Sequence, residues 1–318
     1  MSTRVVFVGD LHSGSHVGLC PPEVEWPGTG TFKGGGHRAN EVQKRLYDLW
    51  RESVGNPRWS KPDILVAGGD LCDGQGSKRY GTEQWTTEPE IQADTAVALL
   101  REWQAGQVWV IDGSGYHKDL RGLSLDGLVA KRVGAAEASN GAVCNHELYL
   151  TVDGVTVHCA HKVGISKVFH YKTTPLARAL LLAFLQDAMR AVADVPDTSL
   201  IVRWHAHYYL HVAYGHTAGW ICPGWQAKTP FTLEADPHGF TPRFGFLGLE
   251  IENGEWEYEA KTWAVESAQP APVGRGLVRG GSAGRGAGRD RPGAPGTDHR
   301  RTRRPPAGRA QPRTARGR

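Results

Sequence analysis

Short apolar runs alternate with longer segments of helical periodicity in the first half of the chain. Brief apolar runs bounded by glycine or polar positions predict three strands, over residues 4–8, 63–67 and 107–111. Apolar residues that recur every three or four positions predict helices over 39–54 and 87–104. Gly55 is expected to end the first helix, and Thr87 with Glu90 has the pattern of a capping box at the start of the second.

The second half of the chain is richer in strand patterns. Two Asp-Gly or Asn-Gly dipeptides between apolar runs predict hairpins, 147–152 with 155–160 and 245–251 with 256–260. A helix is predicted to begin at Thr174-Pro175 and to reach residue 195, and a further strand is predicted over 200–204. Crossover helices early and hairpins late indicate an α/β fold, a β-sandwich flanked by helices.

The pattern stops at about residue 268. Residues 269–318 contain 13 Arg, no Lys and two acidic residues, a net charge of +11, with almost no large apolar side chain. Such a segment cannot bury enough surface to offset the entropy lost on ordering, so a disordered Arg/Gly/Pro-rich tail is predicted. The sequence therefore predicts one folded domain over 1–267 and a tail over 268–318.

The charge balance and the cysteines limit the function and the compartment. The whole chain carries +4, so residues 1–268 carry −7, and a mildly acidic domain suits cation binding better than wrapping of nucleic acid. Five cysteines without paired spacing predict free thiols in a reducing compartment. The first strand follows the start directly, and charges interrupt the most apolar stretch, so we expect a cytoplasmic protein with no membrane contact.

Carboxylate and imidazole side chains follow five predicted strands at the point where each ends. They are Asp10 and His12, Asp70 and Asp73, Asp112 and His117, His158 and His161, and His205 and His207. The carboxyl ends of strands in an open α/β sheet face one crevice. Carboxylates with several imidazoles suit Mn, Fe, Zn or Ni, and one carboxylate can bridge two ions about 3.5–4 Å apart. The sequence therefore predicts a metal site.

In order and position these motifs resemble the calcineurin-like metallophosphoesterases, over roughly residues 4–262. The resemblance is carried by GDLHSG, GGDLCDG, a glycine-rich loop with a histidine, a histidine at the end of the middle hairpin, and a late His-x-His. It is closest to members encoded by phages and prophages, which share a segment like CPPEVE at residues 20–25. It implies a metallophosphoesterase-type β-sandwich and a binuclear metal-dependent hydrolase that cleaves phosphate esters by in-line attack of water.

The resemblance also implies a role for each site residue. Two divalent metal ions would be held by Asp10, His12, Asp70, His161, His205 and His207. Asp70 would bridge the ions, Asp73 would orient a ligand, and His117 would assist departure of the leaving group. The residues alone leave His158 and His161 open as the fourth ligand position, and the family pattern favours His161.

Two motifs depart from the family pattern. The third usually reads Gly-Asn-His, whereas this chain has Ser114 in the place of the asparagine and His117 two positions late. The second metal ion would therefore be held more weakly. Trp204 replaces the glycine that usually precedes the late His-x-His motif, and it is expected to add bulk to the pocket.

The identity of the phosphate-ester substrate stays open. The phage-type resemblance tilts the choice towards a phosphodiesterase or nuclease, and an Arg-rich tail can hold nucleic acid through charge and bidentate contacts with phosphate. The alternatives are a phosphomonoesterase for a nucleotide or phosphoprotein, and a degenerate, non-catalytic scaffold. Lys162 and Arg203 adjoin the predicted ligands and are candidate phosphate contacts.

Overall fold

The computed structural model describes residues 2–28, 34–75, 81–118, 122–164, 168–188, 198–230 and 241–264. The strands in these ranges are β1 (Thr3–Val8), β2 (Glu23–Trp26), β3 (Gly35–Arg38), β4 (Ile64–Ala67), β5 (Gln107–Ile111), β6 (Cys144–Asn145), β7 (Glu147–Val152), β8 (Val155–Ala160), β9 (Leu200–Arg203), β10 (Leu210–Tyr214), β11 (Thr217–Ile221), β12 (Arg243–Glu252) and β13 (Glu255–Ala264). The helices are α1 (Glu41–Val54), α2 (Pro89–Arg101), α3 (Leu125–Val133) and α4 (Thr174–Ala188). The predicted tail and the last turns of the helix predicted to reach residue 195 lie outside the described residues.

The strands form two large mixed sheets and one small one. The first large sheet has the order β13-β12-β1-β4-β5-β6, the second has β10-β11-β9-β8-β7, and β2 pairs with β3 alone. Strands β1, β4, β5 and β6 are parallel neighbours, and so are β8, β9 and β11. The pairs β7–β8 and β12–β13 are antiparallel, which confirms both predicted hairpins.

The two faces of each large sheet enter different cores, because side chains alternate along a strand. Phe7 of β1 packs between the two sheets with Val202 of β9. Val6 faces the opposite way, into a core that Leu49 of α1 shares with α2 and α3. Leu176 of α4 covers the outer face of the second sheet. The predicted α/β architecture, a β-sandwich flanked by helices, is confirmed.

The N-termini of α1 and α2 differ in how they are capped. The Asn40 side chain accepts from the Gln43 backbone N–H, and the Gln43 side chain accepts in return at the start of α1, which ends before Gly55 as predicted. The capping box predicted at Thr87 is wrong, since α2 begins at Pro89 without a side-chain cap. Proline favours the first helical position and disfavours the helical conformation in the residue before it, so Glu88 cannot readily be helical.

Two further expectations concern the cysteines and the membrane. All five cysteines are free, as predicted. Burial raises the pKa of Cys20 to about 12, so this thiol stays protonated and unreactive at neutral pH. In the described ranges, no helix has both the length and the apolar character needed to cross a membrane.

Candidate metal centre

The loops after β1, β4, β8 and β9 bring the predicted ligands together, and the loop after β5 adds His117. They form three overlapping groups in which every ligand atom lies within 4.8 Å of the others: Asp10, His12 and His207; His12, Asp70 and His117; Asp70, His161 and His205. All six predicted ligands belong to these groups, and His117 joins them. Each group has the carboxylate and imidazole composition that holds divalent transition metals.

The first cluster consists of the buried Asp10 and His12 with the half-buried His207. His207 Nε2 lies 3.4 Å from Asp10 Oδ1 and 3.2 Å from His12 Nε2. Asp10 Oδ2 accepts a hydrogen bond from the His205 backbone N–H, whereas the buried Oδ1 has no hydrogen-bond partner in the described part of the chain. A buried carboxylate oxygen without a donor is costly, and a bound cation would compensate it.

The second cluster, Asp70 with His161 and His205, is built around a short contact. His161 Nε2 lies 2.9 Å from Asp70 Oδ2 and 3.2 Å from His205 Nδ1. His161 Nδ1 lies 2.7 Å from the Gly68 carbonyl, which can only accept, so this nitrogen carries the hydrogen. In a neutral ring Nε2 then presents a lone pair to a carboxylate, and a proton or a metal ion must lie between them. The donor set thus fits a cation.

Burial and charge act against each other at these residues. Burial favours the neutral form of Asp70, yet the neighbouring imidazoles hold its pKa well below the usual range. Burial alone would lower the pKa of His161. The Asp70 carboxylate outweighs the effect of burial and raises the pKa of His161 to about 10. A divalent ion would replace the proton that this pair otherwise holds.

The backbone at the centre adopts a conformation that L-residues rarely take. Asp10, His12, Asp70, His205 and His207 have φ values between 47° and 72°, in the left-handed region. Aspartate and histidine are tolerated there, but such residues persist only where surrounding contacts fix them, and they concentrate at functional sites. Five of the six predicted ligands share this geometry.

Asp73 contacts the Nδ1 side of the His12 ring. Its Oδ1 lies 3.1 Å from His12 Nδ1 and accepts from Gln226 Nε2 at 3.0 Å, and its Oδ2 accepts from Gln84 Nε2 at 2.8 Å. With Nδ1–H donated to Asp73, His12 directs its unprotonated Nε2 into the first cluster. This contact would let Asp73 orient His12, the role that the family resemblance implies for it.

Ser114 and His117 occupy the altered third motif. The Ser114 backbone N–H donates to Asp70 Oδ1 at 2.7 Å, and its hydroxyl lies 3.1 Å from Asp70 Oδ2. His117 Nδ1 lies 2.8 Å from the Asp73 carbonyl, so its Nε2 is free and faces Asp70 Oδ2 at 3.9 Å. Ser114 therefore contacts the central carboxylate, and His117 has the reach of either a proton donor or a ligand.

His158 lies outside the clusters. Its ring stacks on Tyr149 with centroids 4.3 Å apart, and its Nδ1 faces the Arg203 guanidinium at 3.2 Å. Burial, aided by Arg203, lowers the pKa of His158 to about 3. Of the two histidines left open by the sequence, the structure brings only His161 to the other predicted ligands.

Two buried polar residues with no place in the sequence motifs hold the loops. Asp126 of α3 accepts backbone N–H groups of Leu71 and Gly113 at 2.9 and 2.8 Å, which ties the loop after β4 to the loop after β5. Burial and the nearby Asp70 raise the pKa of Asp126 to about 7. Gln92 of α2 donates to the Gly74 carbonyl at 2.7 Å. A lone polar residue on the apolar face of a helix is the signal that can locate such side chains.

The expectation that Trp204 adds bulk to the pocket is wrong. Its ring is fully buried between the sheets, 6.4 Å from the ring of Phe7 by centroids. A side chain at Gly9 or Gly68 would overlap the indole. These two glycines therefore make room for Trp204, while Gly69, with φ of 84°, makes the turn before Asp70.

Comparison with known proteins gives only distant matches. No protein-family model matches the chain, and no curated protein does. Zinc-bound Vps29 from Entamoeba histolytica is 14% identical with a TM-score of 0.40, over 82% of this chain and 99% of that one. A predicted phosphoesterase from Streptococcus pneumoniae is 9% identical with a TM-score of 0.32, over 83% and 99%. An archaeal phosphodiesterase is 8% identical with a TM-score of 0.37, over 81% and 100%. At these values the function must be argued from the site itself.

Proposed function

We propose that the chain is a calcineurin-like metallophosphoesterase that hydrolyses phosphate esters with two divalent metal ions. The observation that supports this is the pair of adjoining carboxylate–imidazole clusters. Asp10 Oδ1 of the first cluster lies 4.0 Å from His161 Nε2 of the second, so the two clusters are contiguous. Two adjacent ions suit in-line displacement at phosphorus. The phage-type resemblance and the choice among Mn, Fe, Zn and Ni are part of this proposal.

The residues of the two clusters, with Asp73 and His117, would have distinct roles. Asp10, His12 and His207 would hold one ion, and Asp70, His161 and His205 the other. When bound, the ions would lower the pKa of a water molecule and neutralise charge developing on the phosphoryl oxygens. Asp73 would keep His12 Nε2 directed at its ion. His117, anchored through Nδ1–H, would carry a proton on Nε2 to the leaving oxygen.

The decisive experiment measures metal content and hydrolysis together. The purified protein is analysed by inductively coupled plasma mass spectrometry, stripped with a chelator, and reloaded separately with Mn, Fe, Zn and Ni. Hydrolysis of bis(p-nitrophenyl) phosphate and of p-nitrophenyl phosphate is then compared. We expect metal-dependent turnover, with the preferred compound separating a diesterase from a monoesterase. Metal binding without any hydrolysis would support the non-catalytic scaffold.

Asp70→Asn tests the assignment of the shared carboxylate. It removes the charge with almost no change in volume, so we expect loss of bound metal and of hydrolysis. Asp48→Asn is the matched control, because Asp48 is an exposed aspartate on α1. Asp70→Asn with full metal content and full turnover would contradict the proposal.

A further inference from the structure

A cavity of about 420 Å³ lies beside the second cluster, with His161 in its wall. Its charged lining consists of Lys118, His146, Lys162 and Arg203, with the carboxylates of Asp112 and Glu147. Three permanent cations and two carboxylates leave the lining net positive. A net positive cavity next to a candidate phosphoesterase centre favours an anionic ligand.

One carboxylate of the cavity, that of Asp112, is engaged away from Lys162 and Arg203. Asp112 accepts from Lys118 Nζ at 3.1 Å and lies 3.2 Å from His146 Nδ1. Glu147 lies 3.6 Å from the neutral His158 ring, and its charge acts on Arg203 without direct contact. Within the described ranges, neither Lys162 nor Arg203 has a carboxylate within salt-bridge distance. These two positive charges are therefore available to a ligand.

Arg203 is the stronger candidate for binding an anion, because it is only 8% exposed. Of its five N–H groups, Nη1 donates to the carbonyls of His158 and Val202, both at 2.9 Å, and Nη2 donates once to His158 Nδ1 at 3.2 Å. Nε–H and the second Nη2–H have no acceptor among the described residues. A buried cation with no carboxylate in direct contact is costly, and two N–H groups on one guanidinium match the oxygens of a phosphate.

Lys162 and Arg203 line the same cavity as His161, so a bound anion would lie near the second cluster. Ala160 of β8 pairs with Arg203 of β9, so Arg203 is one residue from His161 across the ladder, and adjacent strands are about 4.8 Å apart. Lys162 follows His161 directly. An anion held by Lys162 and Arg203 would thus be a close neighbour of the second cluster, without being the group that the cluster itself would hold.

We infer that this cavity binds a second phosphate group of the substrate, distinct from the phosphate that is hydrolysed. This inference rests on the proposed function and narrows it. The substrate would carry at least two phosphates, as in a nucleic-acid strand or a nucleoside polyphosphate. A simple phosphomonoester would leave the buried Arg203 guanidinium without a directly bound anion.

Matched chromogenic substrates test this directly. The p-nitrophenyl ester of thymidine 5′-phosphate is compared with the same ester carrying a 3′-phosphate, and with the p-nitrophenyl ester of thymidine 5′-diphosphate. We expect the second phosphate to raise kcat/KM by about 10-fold or more, the range of a charge-assisted hydrogen bond. A gain confined to the 3′-phosphate identifies a strand as the source, and a gain confined to the diphosphate identifies a nucleoside polyphosphate. A kcat/KM unaffected by either phosphate would overturn the inference.

Variants of Lys162 and Arg203 test whether these residues cause the gain from the second phosphate. Arg203→Lys and Lys162→Ala should bring the ratio between substrates with and without the second phosphate towards one. Lys44→Ala, an exposed lysine of α1, should leave the ratio as in the parent. If Arg203→Lys does not fold, as judged by circular dichroism, the substrate ratio of Lys162→Ala decides the test, because Lys162 is exposed. A parent-like ratio in Lys162→Ala and in folded Arg203→Lys would remove the cavity as the site.

A binding measurement separates this inference from the proposed function. Chelator-treated full-length protein is titrated with thymidine 3′,5′-bisphosphate and with thymidine 5′-phosphate by calorimetry. Tighter binding of the bisphosphate, lost in Lys162→Ala, supports the cavity even if no ester is hydrolysed. Equal hydrolysis of all the esters, with equal binding of both nucleotides, would sink the inference while the proposed function stands.

Discussion

The indole of Trp204 lies against the backbone of Gly68, so closely that a single methyl group at Gly68 would overlap its ring. Trp204 immediately precedes His205, and Gly68 lies two residues before Asp70. The contact therefore locks together the strand ends that supply the second cluster. It also explains why glycine is required at position 68, where there is no room for a side chain. Gly69 is required for a different reason, its positive φ.

Gly68→Ala is expected to destabilise the fold by about 1–3 kcal/mol, the usual cost of overpacking a core. Trp204→Leu in the same chain should recover part of that loss, because the smaller side chain leaves room for the methyl group. Urea denaturation of both single variants and the double variant measures the coupling. Gly115→Ala is the control, since a Cβ there meets nothing within 4 Å. Strictly additive losses would refute the contact.

His117→Ala separates a proton donor from a metal ligand. If His117 protonates the leaving oxygen, turnover of alkyl phosphate esters should fall by about 10²–10⁴. Nitrophenyl esters should lose less, because nitrophenolate leaves without a proton. Metal content is measured on the same samples. An equal loss on both ester types together with lost metal would make His117 a ligand, which its position between His12 and Asp70 also permits.

The stability of the protein should depend on His158 below neutral pH. Burial and Arg203 lower the pKa of this imidazole to about 3 in the fold, against 6.5 in the unfolded chain. Between these values the unfolded state binds more protons, so this contribution to stability is lost as the pH falls below 6.5. In His158→Gln the decrease in unfolding free energy from pH 7 to pH 5 should be smaller. An unchanged pH dependence would contradict the buried, neutral histidine.

Removing residues 268–318 tests the predicted tail. The truncated chain should keep the metal content and the hydrolysis of small diesters, because all candidate ligands precede residue 208. The tail carries 13 Arg, so its loss should weaken binding to a DNA or RNA strand, most strongly at low salt. Filter binding at two salt concentrations measures this. Equal affinity of both chains at low salt would dismiss a nucleic-acid role for the tail.

Local pattern alone recovered the main framework. Strands β1, β4, β5, β8 and β9 are apolar runs that stop at glycine or polar residues, so their ends could be located without knowing their neighbours. Among the helices and strands of the described ranges, six have no predicted counterpart: β2, β3, α3, β6, β10 and β11. Several of these are short or half-exposed, as in the Gly-Gly-His-Arg segment of β3, and their apolar signal is weak.

The sequence by itself determined the fold class and the residue types at the strand ends, because periodicity and strand termination are local properties of the chain. Only the tertiary structure separated His158 from His161: His161 contacts Gly68 and Asp70 in the loop after β4 of the first sheet, whereas His158 stacks on Tyr149 within the second sheet. It also moved Trp204 into the core and brought Asp126 of α3 to Leu71 and Gly113, at least 13 residues away. Such contacts depend on long-range packing and hydrogen bonding, which no short stretch of sequence encodes.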